Sequence, residues 1–236
     1  MRLGNYEEID KKIENKINEI FNDTNITSLS QYEIRKRIFE HLIDSIEYDH
    51  NLLDKIKFNK MNISKKFSRN PYEEFETVMN EKKGVCNGIA QYYKLLLEKV
   101  GIYAFCINCM ISYNGEQLGH QLNLVYDYEN KTFSFDDVTM AILNPNKDKK
   151  MTYLDFDLEE ANEKNEKYGM RPLYDNILWQ ILSEEYINLL LGRKNNKLEL
   201  LYVNNILEEI SNILSNEDFF YYNIIISKSN KNQKVM

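Results

Sequence analysis

Apolar residues along the first fifty positions recur at the spacing of an α-helix. Residues 6–21 carry an isoleucine every three or four positions, which predicts an amphipathic helix. A polar break over 22–30 separates it from residues 31–47, where similar spacing predicts a second helix. The two apolar stripes consist of Ile9, Ile13, Ile17 and Ile20, and of Ile34, Ile38, Leu42, Ile43 and Ile46.

The next part of the chain alternates between irregular and helical patterns. Residues 48–71 are rich in lysine, asparagine and serine, and we expect them to be irregular. Pro71 suits the first turn of a short helix that continues to about Met79. A longer helix then begins at Cys86, and Gly101 is a typical residue to follow the end of a helix. One side of this helix is apolar and carries Ile89, Tyr92, Tyr93, Leu96 and Val100.

Three strands follow in the predicted order of elements, over 102–113, 119–126 and 131–138. A four-residue turn at 127–130 joins the last two strands as a hairpin. Residues 142–152 contain several lysines and a proline, and we expect a loop there.

Helical patterns dominate the C-terminal third of the chain. They predict helices over 157–167, 174–192 and 198–215, followed by a strand over 219–226. Their leucine and isoleucine stripes indicate core packing, with a partner-binding face as the alternative. We therefore predict an α+β protein in three parts: an N-terminal helical segment at 1–30, a core at 31–160, and a helical extension with a late strand at 161–236.

Composition and charge narrow the classes of function. The chain has 236 residues, 43% of them hydrophobic, including 17 tyrosines and 11 phenylalanines, so it can build a sizeable core. A net charge of -7 argues against a nucleic-acid binder. No apolar run reaches membrane-spanning length, and the polar first residues lack a signal-peptide core, so we expect a cytoplasmic protein without a membrane partner. Three cysteines are too few for a disulfide scaffold.

Three short segments carry the candidate chemistry. Residues 84–88 read Gly-Val-Cys-Asn-Gly, residues 119–123 read Gly-His-Gln-Leu-Asn, and residues 135–139 read Phe-Asp-Asp-Val-Thr. A helix N-terminus and a nearby imidazole both lower the pKa of a thiol, so Cys86 and His120 are a candidate nucleophile and base. A carboxylate behind the imidazole would fix its tautomer.

The predicted hairpin favours Asp137 over Asp136 as that carboxylate. If Tyr126 lies opposite Lys131, His120 lies directly opposite Asp137 on the same face of the sheet. Asp136 would point to the other face, and a slip of one residue would reverse the preference. Each residue also has a structural interpretation, because Cys86 can be a small buried residue, His120 an ordinary strand residue and Asp137 the cap of a turn.

These residues resemble the transglutaminase-like superfamily, a branch of the papain-like thiol enzymes. The family pattern of Gly-x-Cys-x-Gly, His-x-x-Asn-x-Val and Asp-x-Thr is matched at 84–88, 120–125 and 137–139, and the resemblance is to bacterial members. It implies a helix bearing the nucleophile packed on a small antiparallel sheet. It also implies a cysteine protease, amidase or transglutaminase-type acyltransferase that acts on amide bonds of peptides or proteins through a thioester.

Two departures from the family pattern favour an alternative. Leu122 and Met140 stand where the family commonly has aromatic residues. A catalytically silent protein-binding module with this fold is therefore the second hypothesis. The resemblance implies no cofactor, leaves water and an amine both open as the acyl acceptor, and does not specify the oligomeric state.

The remaining candidate residues have weaker patterns. Cys106 and Cys109 form a C-x-x-C sequence on a predicted strand, where positions three apart point to opposite faces, so we expect neither a metal pair nor a disulfide. No metal site is expected elsewhere, because the acidic residues lack the spacing of a calcium loop. An oxyanion hole would use the Cys86 backbone N–H as first donor, with Tyr72 and Asn87 as candidates for the second. His41 and His50 have no partner motif.

Overall fold

The computed structural model of the protein describes residues 4–22, 24–61, 71–113, 116–130, 132–156 and 171–172. The chain divides into two units, Met1–Ile177 and Leu178–Met236, and every described residue lies in the first unit. The four elements predicted beyond residue 156 lie outside the described residues: 157–167, 174–192, 198–215 and 219–226. The predicted boundaries at residues 30 and 160 stay predictions.

Helices and strands are mixed along the described chain, so the α+β class is confirmed. The helices are α1 (Gly4–Phe21), α2 (Gln31–Ser45), α3 (His50–Met61), α4 (Pro71–Glu81), α5 (Cys86–Lys99) and α6 (Val138–Leu143). The strands are β1 (Glu47–Tyr48), β2 (Lys83–Gly84), β3 (Ala104–Tyr113), β4 (Glu116–Asp127), β5 (Thr132–Asp136) and β6 (Arg171–Pro172). Short 3-10 helices cover Ile26–Ser28 and Lys147–Tyr153.

The described strands form two sheets. The larger has the order β5-β4-β3-β6, and all its neighbours are antiparallel. The smaller pairs β1 with β2 in parallel, immediately before α5. Helix α5 packs against β3 and β4, and also contacts α1, α2, α4 and α6. The start of α5 is therefore held between a sheet and several helices.

Local chemistry explains where one predicted helix begins and where another ends. Ser30 and Glu33 form a capping box at the start of α2, in which each side chain accepts from the other residue's backbone N–H. Gly101 has a φ of 83°, a left-handed conformation that suits glycine directly after the end of α5. Both helices lie where the apolar spacing predicts them.

Three predictions of local structure were wrong. Residues 48–71 are not irregular throughout, because they contain α3. The Asp49 carboxylate caps the start of this helix by accepting the Leu52 N–H at 3.0 Å. The loop predicted at 142–152 contains a 3-10 helix, whose first turn is capped by Asn146 accepting from the Asp148 N–H at 3.0 Å. The strand predicted to reach residue 138 ends at Asp136, and α6 follows after Asp137.

The buried faces of the first two helices form part of the core. Ile9, Ile13 and Ile17 of α1 are buried, and α1 packs on α5 and α2. Burial of one such side chain contributes about 1.5–3 kcal/mol. At the outer edge of this contact, Lys99 Nζ of α5 pairs with Asp10 of α1 at 2.9 Å. Within the described ranges, no helix combines the length and apolar character needed to cross a membrane.

Candidate active site

The chain places Cys86 as the first residue of α5 through a close backbone approach. A β-carbon at Gly84 would overlap Cγ2 of the buried Val78 in α4, so any larger residue would force the Val78 side chain to move. The Gly84 carbonyl also accepts the Asp49 N–H at 2.8 Å, beside the pairing of β1 with β2. The first N–H groups of a helix lack intrahelical partners and form the positive end of its dipole. Cys86 lies at that end and is partly exposed.

His120 lies on β4, is buried, and connects Cys86 with Asp137. Its Nε2 lies 2.7 Å from Asp137 Oδ2. Its side chain also shares a hydrogen bond with the Cys86 thiol. The backbone of Gln121 also favours the thiolate of Cys86 and helps to lower the pKa of the thiol. The structure thus brings the three residues predicted from the motifs into one hydrogen-bonded series.

Asp137 is held by contacts on both sides of its carboxylate. It is the N-cap of α6, where Oδ1 accepts the Met140 N–H at 3.0 Å while Oδ2 faces His120. Its own backbone N–H donates to the Tyr153 carbonyl at 2.8 Å. The capping role considered from the sequence and the contact with His120 therefore coexist, because each uses a different carboxylate oxygen.

The predicted register of the hairpin was wrong. Tyr126 pairs with Phe133 rather than with Lys131, because Asp127 is the last residue of β4 and accepts the backbone N–H groups of the turn that follows. His120 lies beyond the end of β5 and does not face Asp137 across the hairpin. A displacement of two positions keeps every side chain on its predicted face. Asp137 reaches His120 because the chain leaves β5 and enters α6 at that residue.

Asp136 belongs to a separate buried network. Arg35 of α2 donates from Nη2 to Oδ1 at 2.6 Å and from Nε to Oδ2 at 3.2 Å, and Tyr93 of α5 donates its hydroxyl to Oδ2 at 2.8 Å. Arg35 also reaches Asp155 at 2.9 Å and Ser134 at 2.9 Å. Burial opposes the charge on Arg35, but Asp136 outweighs it and raises the pKa of the guanidinium. We find no contact of the Asp136 carboxylate with His120 in the described part of the chain.

Charge at the site favours a thiolate and an imidazolium. Burial disfavours the charged form of Cys86, but the hydrogen bond and charge of His120 outweigh it and lower the pKa of the thiol from 9.0. Burial also opposes the charge on His120, yet the Asp137 carboxylate raises its pKa from 6.5 to about 10. By contrast, burial raises the pKa of the Cys109 thiol on β3 far above its usual range. The two thiols therefore differ in predicted reactivity.

The other residues considered from the sequence occupy less direct positions. The Asn87 side-chain carbonyl accepts from Gln91 Nε2 at 2.8 Å, whereas the Tyr72 side chain lies outside the described part. Cys106 lies 3.7 Å from Asn123 Nδ2. The His50 ring meets Tyr48 edge-on, with centroids 5.0 Å apart. His41 is half-buried in α2, where burial lowers its pKa.

Sequence reasoning missed three residues at or near the site: Arg35, Tyr93 and Gln121. Tyr93 was assigned to an apolar stripe, and no local motif marks Arg35, which lies about one hundred positions from its partner Asp136. Gln121 contributes through its backbone, which side-chain patterns do not report. The available signal was a charged residue, Arg35, inside an amphipathic helix. Such a charge is rarely buried without a partner, which here is the strand carboxylate of Asp136.

Comparisons with known proteins give little further information. No protein-family model matches the chain, and no curated protein sequence matches it. Among solved structures, one described as "Crystal structure of a TGase" superposes with a TM-score of 0.47 at 18% sequence identity. The superposition covers 66% of this chain and 38% of that one, so this chain spans well under half the length of the similar structure. A likeness at this level assigns no function, so the function is inferred from the geometry of the site.

Proposed function

We propose that this protein is a cysteine-dependent acyl-transfer enzyme that acts on amide bonds of peptides or proteins. Its fold would be of the transglutaminase-like type, and its chemistry that of a protease, an amidase or a transglutaminase. The observation that supports this proposal is the hydrogen-bonded series from Cys86 through His120 to Asp137. A nucleophile, a base and an orienting carboxylate in contact are the parts that covalent acyl transfer needs.

In the proposed first step, the Cys86 thiolate attacks the carbonyl carbon of the amide. The oxyanion that forms lies near the start of α5, where the Cys86 backbone N–H is available as a donor. The imidazolium of His120 then gives its proton to the nitrogen of the leaving amine, and the carbon–nitrogen bond breaks. The products of this step are a thioester on Cys86, a free amine and neutral His120.

In the second step, water or an amine attacks the thioester. Neutral His120 takes a proton from the attacking group, and the Cys86 thiolate leaves as the carbon–sulfur bond breaks. Asp137 accepts a hydrogen bond from Nε2 throughout, which holds the ring and stabilises its cation. Water as the acceptor gives a protease or amidase, and an amine gives a crosslinking enzyme.

The pH range of this chemistry follows from the two shifted pKa values. The ion pair of thiolate and imidazolium exists above the pKa of Cys86, which is lowered from 9.0, and below that of His120, at about 10. As pH falls through the Cys86 pKa, the nucleophile is protonated and acyl transfer is lost. As pH rises above about 10, His120 loses the proton that the leaving amine requires, so acyl transfer falls while alkylation of the thiolate continues.

The test is the pH dependence of Cys86 alkylation by iodoacetamide, followed by peptide mass spectrometry. We expect a midpoint below the value of about 8.5 for an ordinary thiol. Cys86→Ser should abolish the labelled peptide, and His120→Ala should move the midpoint above the wild-type value. His41→Ala is the matched control, because His41 lies in α2 and makes no described contact with Cys86.

A wild-type midpoint at or above about 8.5, unchanged in His120→Ala, would contradict the proposal and favour the silent binding module. With an activated thiol established, the acceptor is tested with a glutamine-containing protein. Release of ammonia alone indicates deamidation, release with incorporation of a fluorescent amine indicates crosslinking, and new chain ends indicate proteolysis. Each product should be absent with Cys86→Ser.

A further inference from the structure

Cys86 is connected to Asp137 by two routes, each made of covalent and hydrogen bonds. The first route runs from Cys86 through His120 to Asp137. The second runs along α5 from Cys86 to Tyr93, across the Tyr93 hydroxyl to Asp136 at 2.8 Å, and over one peptide bond to Asp137. Because both routes start at Cys86 and end at Asp137, a shift of α5 against β5 would change the contacts of the first route.

The second route is rigid because every acceptor position of Asp136 is used. Oδ1 accepts from Arg35 at 2.6 Å and from the Asp155 backbone N–H at 2.8 Å. Oδ2 accepts from Arg35 at 3.2 Å and from Tyr93 at 2.8 Å. Four donors are about as many as a carboxylate can accommodate, so the group cannot turn without losing a bond. Arg35 and Asp136 are 1% and 0% exposed, so no solvent is available to replace a lost bond.

We propose that Arg35, Asp136 and Tyr93 are positioning residues for the candidate active site. They fix α5 relative to the turn between β5 and α6, and so keep Cys86 and Asp137 at the distances that His120 spans. None of the three contacts the Cys86 sulfur or the His120 ring among the described contacts. This role rests on the proposed function, since it matters only if the thiol is activated by His120.

The first test removes one atom from the second route. Tyr93→Phe deletes the hydroxyl bound to Asp136 and leaves the ring, which packs edge-on against Phe39. Tyr92→Phe is the matched control, because it is the same change at the preceding position of α5, where the tyrosine is also buried but has no bond to Asp136. The readouts are the pH profile of Cys86 alkylation and the thermal unfolding midpoint of each variant.

We expect the Tyr93→Phe profile to move upward by about one pKa unit, which corresponds to about tenfold slower alkylation below the midpoint. This loss is smaller than the roughly hundredfold cost of a 1 Å misplacement of a reacting group. Tyr92→Phe should stay within about twofold of wild type in alkylation. A purely structural role for Tyr93 would lower the unfolding midpoint and leave the pH profile unchanged.

A second pair of variants tests the arginine. Arg35→Lys keeps the charge but loses the planar fork that binds both oxygens of Asp136, and Arg35→Met loses both. We expect the alkylation profile to shift in the order wild type, Arg35→Lys, Arg35→Met. If Arg35→Met does not fold, Tyr93→Phe and Arg35→Lys still give the comparison.

The outcomes separate this inference from the proposed function. An activated wild-type thiol whose pH profile is the same in Tyr93→Phe and Arg35→Lys would overturn the positioning role and leave the proposed function intact. An ordinary thiol profile in the wild type would overturn both. A shifted profile in Tyr93→Phe, with Tyr92→Phe unchanged, supports both.

Discussion

Asp136 and Asp137 are neighbours in the chain, and only 0% and 1% of their surfaces are exposed, yet they belong to different regions. Asp136 binds Arg35, whose guanidinium stays charged at any pH of interest. Asp137 binds His120, whose imidazole can take up and release a proton. Burial and charge alone do not identify a catalytic carboxylate. The bonded partner distinguishes the two carboxylates, because only a titrating partner can transfer a proton.

The largest expected effect comes from breaking the Asp136 region. Arg35→Met leaves the Asp136 carboxylate buried without its cation, and removal of one partner of a buried pair costs about 3–5 kcal/mol. Urea unfolding followed by circular dichroism measures this loss. Arg37→Met is the control, because Arg37 is exposed in the same helix and, among the residues that the structure describes, bonds to Thr24 alone at 2.9 Å. A loss for Arg35→Met no larger than that of the control would show that the network contributes no net stability.

An intermediate effect is expected from changing the Asp137 region. Asp137→Asn keeps the shape but removes the charge that raises the pKa of His120, so this pKa should fall from about 10 towards the ordinary value of about 6.5. Nuclear magnetic resonance of the ring C–H signals over pH resolves it, with His41 and His50 as internal references.

Asp136→Asn sharpens the same comparison. Its charge is not among the largest causes of the raised pKa of His120, so the effect on the ring should come mainly from repositioning. We expect a smaller change in the His120 pKa than with Asp137→Asn. Equal changes in the two variants would contradict the division of the two carboxylates between separate regions.

The smallest effect concerns the second role of Asp137. As the N-cap of α6 it accepts the Met140 N–H, a bond that asparagine can replace and alanine cannot. Asp137→Ala should therefore be less stable than Asp137→Asn by about 1 kcal/mol, measured by urea unfolding. Equal stability of the two variants would mean that the cap does not contribute to folding.

The first two helices and the elements that carry Cys86 and His120 were largely predictable because their signals are local. Each signal spans only a few residues: the isoleucine spacing of α1 and α2, the glycine after α5, and the change from helix to strand after that glycine. The α3 helix was missed because its capping residue, Asp49, lies in a polar stretch without a clear apolar period. The end of β5 was missed because Asp137 and Val138 continue an alternation typical of a strand, while the capping bond to Met140 ends it.

The sequence by itself determined which chemical groups are present, which element carries Cys86 and His120, and on which face each strand residue points, since these follow from local periodicity. Only the tertiary structure decided the hairpin register, because a displacement of the pairing by two positions changes no face. Only the tertiary structure separated Asp136 from Asp137 by partner, because Arg35 reaches Asp136 from another helix. Such a contact is selected by burial of the whole core, and no short stretch of sequence encodes it.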